Sequence, residues 1–169
     1  MNTPPHAQVE ELLEKALEQE MISTGQLMSV VSAELAGVIL LDIRTPTEFA
    51  EGIIRSSHLF PCDHNLVNRE DVSLFRACFD KKFDPGQFDP DLRYVLICRS
   101  GPRTEIATER FVACGLRACE LVGGIEEWKR QGFPLVAATR APLYPPDQAT
   151  PHPPIRAGDR LPEPDRGHP

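Results

Sequence analysis

Tyr94-Val95-Leu96-Ile97-Cys98-Arg99-Ser100-Gly101-Pro102-Arg103-Thr104 is the stretch on which the fold of this chain turns. The apolar run Tyr94 to Ile97 reads as a strand, and it ends in a cysteine. A helix is expected from Thr104, and the loop between carries Gly101, Pro102 and two arginines. This arrangement puts a thiol at the carboxyl end of a strand, before backbone N–H groups and a helix N-terminus. Both favour the thiolate, which is the nucleophilic form, and both would hold an anion or a sulfur atom carried on the cysteine.

The flanking segments alternate between strand and helix patterns. Val38 to Asp42 is a continuous apolar run that suits a strand buried on both faces. Thr45-Pro46-Thr47-Glu48 follows as a helix start, with Thr45 as N-cap, Pro46 at the first helical position and Glu48 closing a capping box. Met21-Ile22, Ser57 to Phe60 and Ala118 to Val122 read as further strands. Helices are expected over roughly 25–34, 66–79, 104–114 and 125–130, and residues 80–92 read as a loop rich in Asp, Pro and Gly. The pattern predicts an α/β fold, with a central, mostly parallel sheet of about five strands and helices on both faces. In such sheets, sites lie at the carboxyl ends of strands, where Cys98 is.

Two segments flank that domain, which is expected over 21–136. Residues 1–20 contain an amphipathic helix with Val9, Leu12, Leu13, Ala16 and Leu17 at helical spacing. It needs a surface to cover, on its own domain or on a second copy in a homodimer. Residues 137–169 hold nine of the chain's prolines and little apolar periodicity, which predicts an extended or disordered tail. Pro142-x-x-Pro145 and Pro151-x-x-Pro154 there match polyproline ligands only as chance would.

The 169 residues suffice for one domain with a core. A net charge of −7 and a pI near 5.2 argue against a nucleic-acid partner. No apolar stretch approaches the ~18 residues of a membrane span. The start of the chain lacks the basic and apolar regions of a signal peptide, so the expected compartment is the cytoplasm. The five cysteines (62, 78, 98, 114 and 119) include no C-x-x-C pair and read as free thiols. Cys114 and Cys119 read as packing residues before relay thiols. His58-x-x-x-Cys62-x-His64 lacks a fourth ligand and fits no zinc pattern, so no metal is expected.

Three segments together resemble the rhodanese-like domain family of single-domain sulfurtransferases. Leu40-Leu41-Asp42-Ile43-Arg44-Thr45-Pro46-Thr47-Glu48-Phe49-Ala50-Glu51-Gly52 is similar to its first signature, Cys98 to Thr104 to its active-site loop, and Leu121-Val122-Gly123-Gly124-Ile125-Glu126-Glu127-Trp128 to its closing signature. They occur in the family's order over roughly residues 20–136. The chain departs after Gly52, where the family's His-Ile-Pro-Gly-Ala is replaced by Ile53-Ile54-Arg55-Ser56-Ser57.

The resemblance implies that Cys98 takes a sulfane sulfur from a donor such as thiosulfate, holds it as a persulfide and passes it to a thiol, cyanide or protein acceptor. The kinetics would be ping-pong, and no cofactor is needed. Arg99 and Arg103 suit an anionic donor, Gly101 lets N–H groups turn inward, and Ser100 and Thr104 offer hydroxyls. Pro102 brings no N–H to the loop. Asp42 and Arg44 are expected to form a structural ion pair in the site wall, Thr45 and Glu48 to act as capping residues, and Trp128 to lie in the core. Two other readings remain: a rhodanese fold used as a binding or redox-sensing module, and a cysteine phosphatase. The phosphatase is disfavoured because Arg103 follows Cys98 after four residues rather than five.

Overall fold

The computed structural model describes residues 4–60, 72–138 and 142–144. Five strands, β1 (Met21–Ile22), β2 (Val38–Asp42), β3 (Ser57–Leu59), β4 (Arg93–Ile97) and β5 (Arg117–Leu121), form one sheet in the order β1-β5-β4-β2-β3. Every pairing between them is parallel. The two central strands, β4 and β2, are buried at every position, as their uninterrupted apolar runs require.

Strand residues alternate between two cores. Ile39, Leu41, Tyr94, Leu96 and Cys98 face one layer with Phe75, Phe79 and Phe111, from helices α4 (Ser73–Lys82) and α5 (Pro102–Ala113). Leu40, Val95, Ile97, Cys119 and Leu121 face the other. That layer is built from α1 (His6–Gln19), α2 (Thr24–Ala33) and α6 (Gly124–Arg130), with Trp128 buried in it. The short α3 (Pro46–Ala50) follows β2. No helix among the described residues is long and apolar enough to cross a membrane.

The N-terminal helix covers its own sheet. Val9, Leu13 and Ala16 are buried, Arg93 on β4 pairs with Glu10 and Glu14, and Arg117 on β5 also pairs with Glu14. Its apolar face is thus used within the chain, where a homodimer had been one expectation. Two boundaries also move. α5 begins at Pro102 rather than Thr104, because proline is preorganised for the first helical position and loses nothing there. α4 runs on through Lys82, because Phe75, Phe79 and Phe83 keep a helical stripe that stacks ring on ring. The first half of the helix expected over 66–79 lies largely outside the described residues.

Of the tail expected to be extended or disordered, the described residues 142–144 lie against the sheet. The Leu59 N–H donates to Pro142 O and the Tyr144 N–H to Leu59 O, each at 2.8 Å, which bridges the segment in parallel beside β3. Tyr144 is buried against His58, Phe88 and Tyr94, and its hydroxyl lies 3.0 Å from that of Tyr94. One aromatic side chain among prolines gives no periodicity from which such docking is read.

Two backbone positions are exacting. Gly124 has φ +61°, and a Cβ there would stand 2.5 Å from the carbonyl oxygens of Cys98 and Arg99. Ser56 has φ +68° in the turn before β3, at the position where the resembled family carries glycine. Gly124→Ala is expected to destabilise the fold by about 3 kcal/mol in urea unfolding, since neither backbone carbonyl can yield. Ser56→Gly is expected to stabilise it by about 0.5 kcal/mol, the left-handed strain relieved exceeding the entropy glycine adds to the unfolded chain. A neutral Gly124→Ala or a destabilising Ser56→Gly would contradict this account.

Candidate functional site

The site forms where β4 ends. Register carries Tyr94, Leu96 and Cys98 to the same face, so the Cys98 side chain meets the first turn of α5. The chain then reverses through Arg99, Ser100 and Gly101, whose φ of +129° is open to glycine and not to other residues. That reversal turns the Gly101 N–H back to donate to Cys98 Sγ at 3.1 Å. Thr104, fully buried in the first turn of α5, has its Oγ1 3.5 Å from the same sulfur. The thiol is thus held between an amide, a hydroxyl and the amino end of a twelve-residue helix.

Cys98 itself has no exposed surface, whereas Ser100 and Pro102 above it are exposed and Gly101 is half-buried. In this conformation the sulfur is out of reach of a reagent in solution.

Both arginines of the loop are engaged by carboxylates. Arg99 Nε donates to Glu126 on α6 at 2.7 Å, an exposed pair of small energetic weight. Arg103 makes a bidentate fork with Glu48, at 2.9 and 3.0 Å, and both side chains are nearly buried. Burial by itself would raise the Glu48 carboxyl, but the Arg103 hydrogen bonds and charge hold it below the usual carboxylate range. Glu48 therefore does more than cap. It accepts the Thr45 N–H and anchors the first turn of α5. The capping motif was legible in sequence; the 55-residue separation of Glu48 from Arg103 hid the second role.

Asp42 and Arg44 do pair, at 2.8 to 3.1 Å and fully out of water. Burial pushes the Asp42 carboxyl up, against the hydrogen bonds and charge of Arg44. Arg44 also donates to Glu48 O at 3.1 Å, within α3, and to Gly52 O at 2.7 Å, just past its end, which ties α3 to the sheet. The line Asp42, Arg44, α3, Glu48, Arg103 joins the first signature to the loop around the thiol.

The closing signature supports the loop from the other side. The Ile125 N–H donates to Cys98 O and the Glu126 N–H to Arg99 O, each at 3.0 Å. The contact at Gly124 makes this approach close enough for both bonds.

Among the other cysteines, Cys119 is buried in the opposite core, where burial first and the Glu120 charge second push its thiol up to about 12. Cys114 is exposed at the end of α5. His58 is buried beside Tyr144, its imidazole pulled down to about 4 by burial and therefore neutral near pH 7. Cys62 and His64 lie outside the described residues, and no group of potential metal ligands occurs among those described. Sequence reasoning passed over Glu120, whose carboxylate accepts from the Thr104 hydroxyl at 3.0 Å.

This architecture has known counterparts. Residues 26–131 match the model of the rhodanese-like domain. A sulfurtransferase of Allochromatium vinosum is 31% identical over 106 residues, which span 62% of this chain and 84% of that protein. A rhodanese-related protein of Thermoplasma volcanium superposes with a TM-score of 0.53 at 25% identity, covering 69% of this chain and 96% of that one. A Rhodopseudomonas palustris protein described as a possible tyrosine phosphatase shares the fold, with a TM-score of 0.54 at 22% identity over 76% of this chain and 93% of its own. With both signatures wrapped around the Cys98 loop and more than half its length matched, this chain belongs to the rhodanese-like domain family.

Proposed function

We propose that this protein is a sulfurtransferase in which Cys98 carries the sulfur as a persulfide. The observation that carries the reading is the convergence of the Gly101 N–H, the Thr104 hydroxyl and the start of α5 on one sulfur. The name of the Allochromatium vinosum relative supports the same class of reaction.

The Cys98 thiolate attacks the sulfane sulfur of a donor. A new S–S bond forms as the donor's bond to that sulfur breaks, and its electron pair leaves with the remaining group, sulfite if the donor is thiosulfate. A nucleophilic acceptor then attacks the outer sulfur of the persulfide and restores the thiolate, giving two half-reactions on one cysteine. The inward Gly101 N–H suits the sulfur that develops negative charge in each step. The carboxylates on Arg99 and Arg103 restrain use of an anionic donor, since it must exchange with Glu126 or Glu48 to reach a guanidinium.

The zero exposure of Cys98 favours one second reading, a binding or sensing module with a sequestered thiol. The phosphatase reading is weakened by the short loop and by the commitment of Arg103 to Glu48.

Intact-mass measurement separates the first two. Incubation with thiosulfate, mercaptopyruvate or a persulfide is expected to add ~32 Da in a cyanide-labile form, and Cys98→Ser to take up nothing. Failure of the wild-type protein to gain mass from all three donors would leave the module reading. Glu48→Gln keeps a capping-box residue but releases Arg103 from its counter-charge. It is expected to raise the rate of loading from thiosulfate about 10-fold at low salt. The variant is also expected to be less stable near neutral pH. Because folding holds the Glu48 carboxyl low, the pair's contribution is present above the ordinary carboxylate range and is lost as pH falls through the lowered value. Urea midpoints of the two proteins should therefore converge in acid; an unchanged gap, or no gain with thiosulfate, would remove this role from Glu48.

A further inference from the structure

The Thr104 hydroxyl has more claimants than it has protons. Its Oγ1 lies 2.8 Å from Gly101 O, 3.0 Å from Glu120 Oε2 and 3.5 Å from Cys98 Sγ. Glu120 stands on β5 opposite Leu96 of β4, which carries its side chain to the face that Leu96 and Cys98 share. Gly101 O and Glu120 Oε2 are both within reach of the one Thr104 proton; Gly101 O also accepts the Glu105 N–H at 3.1 Å, and a carboxylate is the stronger acceptor, so an ionised Glu120 draws the Thr104 proton. The lone pairs of Oγ1 are then left to accept the Cys98 S–H. When Glu120 is protonated it donates to Oγ1, and the hydroxyl proton is released to Gly101 O or to a thiolate.

We propose that Glu120 is the proton acceptor for Cys98, working through the Thr104 hydroxyl. The thiol proton passes to Oγ1 as the hydroxyl proton passes to the carboxylate, so a thiol and a carboxylate become a thiolate and a carboxylic acid. No atom, electron or co-reactant is added. In sulfur transfer, the electron pair left on Cys98 forms the bond to the donor's sulfane sulfur. The group expelled from the donor leaves with its own electron pair and is protonated by Glu120, back through Thr104, or by water. Glu120 acts through Thr104 and is therefore a positioning residue. This assignment rests on the sulfurtransferase reading for its place in the reaction, but not for the proton coupling itself.

The surroundings of Glu120 suit the task. Burial raises its carboxyl, the Thr104 hydrogen bond lowers it, and the Glu105 charge on α5 raises it again, so the net direction is upward, as a base requires. From β1, the approach is made by backbone: the Glu120 N–H donates to Glu20 O at 3.1 Å, and Glu20 is itself exposed. Arg99 and Arg103, the cations of the neighbouring loop, are committed to Glu126 and Glu48. On β5, Arg117 is committed to Glu14, and Cys119 faces the opposite core. Among the described residues Glu120 has no ion-pair partner, so Thr104 is its link to the sulfur.

The test is the pH dependence of alkylation at residue 98 by iodoacetamide, followed by peptide mass between about pH 5 and 9. Two groups that share a proton give the wild-type profile a shoulder below the main rise. Glu120→Gln, isosteric and uncharged, is expected to remove the shoulder and leave a single titration; Thr104→Val is expected to do the same, and Thr104→Ser to restore it. Loading of Cys98 from thiosulfate or cysteine persulfide at neutral pH is expected to fall about 10-fold or more in Glu120→Gln. A folded Glu120→Gln protein with the wild-type alkylation profile would overturn the proposal. Absence of sulfur loading in the wild type, with the shoulder still dependent on Glu120, would instead overturn the sulfurtransferase reading and uphold the proton coupling.

Discussion

The site depends first on two hydrogen bonds from the start of α6 to the carbonyls of Cys98 and Arg99. A strand that ends inside a sheet leaves its last carbonyls without a ladder partner, and a helix that begins there leaves N–H groups without acceptors. Here each set satisfies the other. The closeness this needs is possible only because Gly124 has no side chain, its missing Cβ being the space that the two carbonyls occupy. With the carbonyls of Cys98 and Arg99 fixed outward to α6, the following residues reverse toward α5, and the Gly101 N–H falls on the sulfur. The double glycine of the closing signature therefore acts on the chemistry through backbone geometry.

A second constraint fixes the opposite wall. Arg44 satisfies Asp42 and two main-chain carbonyls, so its charge is taken up by structure. What it stabilises is the orientation of α3, and through Glu48 that orientation reaches Arg103. Removing one member of a buried ion pair strands the other, at a typical cost of about 3 to 5 kcal/mol, whereas the intact pair adds much less. The network is thus better understood as a device that specifies geometry than as a source of stability.

The parallel sheet, the helices on both faces, the loop around Cys98 and the cap at Thr45 follow from local patterns of three to ten residues, and all are legible in the chain. What was not legible depends on pairs distant in sequence. Glu48 with Arg103, Glu120 with Thr104 and Tyr144 with Tyr94 are separated by 55, 16 and 50 residues. Each uses a residue that has an adequate local explanation, as a cap, an exposed acid or part of a proline-rich tail. Pro102 is a different case: proline favours the first helical position there as it does at Pro46, so α5 starts two residues before Thr104. Ser56 is the converse. The turn survives without the glycine of the resembled family because flanking structure holds a serine at positive φ: the Ser57 N–H bonds to Ile54 O, and Ile53 is bridged to Val136.

The burial of Cys98 and the shortness of its loop bear on each other. A thiolate in contact with water is open to oxidation and to indiscriminate electrophiles. Cys98 has no exposed surface, and the loop that follows it, with Ser100 and Pro102 exposed, forms a roof between its sulfur and water. The contacts that hold the roof are of unequal strength. The carbonyls of Cys98 and Arg99 are locked to α6, and Arg103 is locked by its fork to Glu48, whereas Arg99 is held by one exposed pair and Gly101 has open space where a side chain would be. The Thr104 hydroxyl, fixed within α5, lies 3.5 Å from the sulfur.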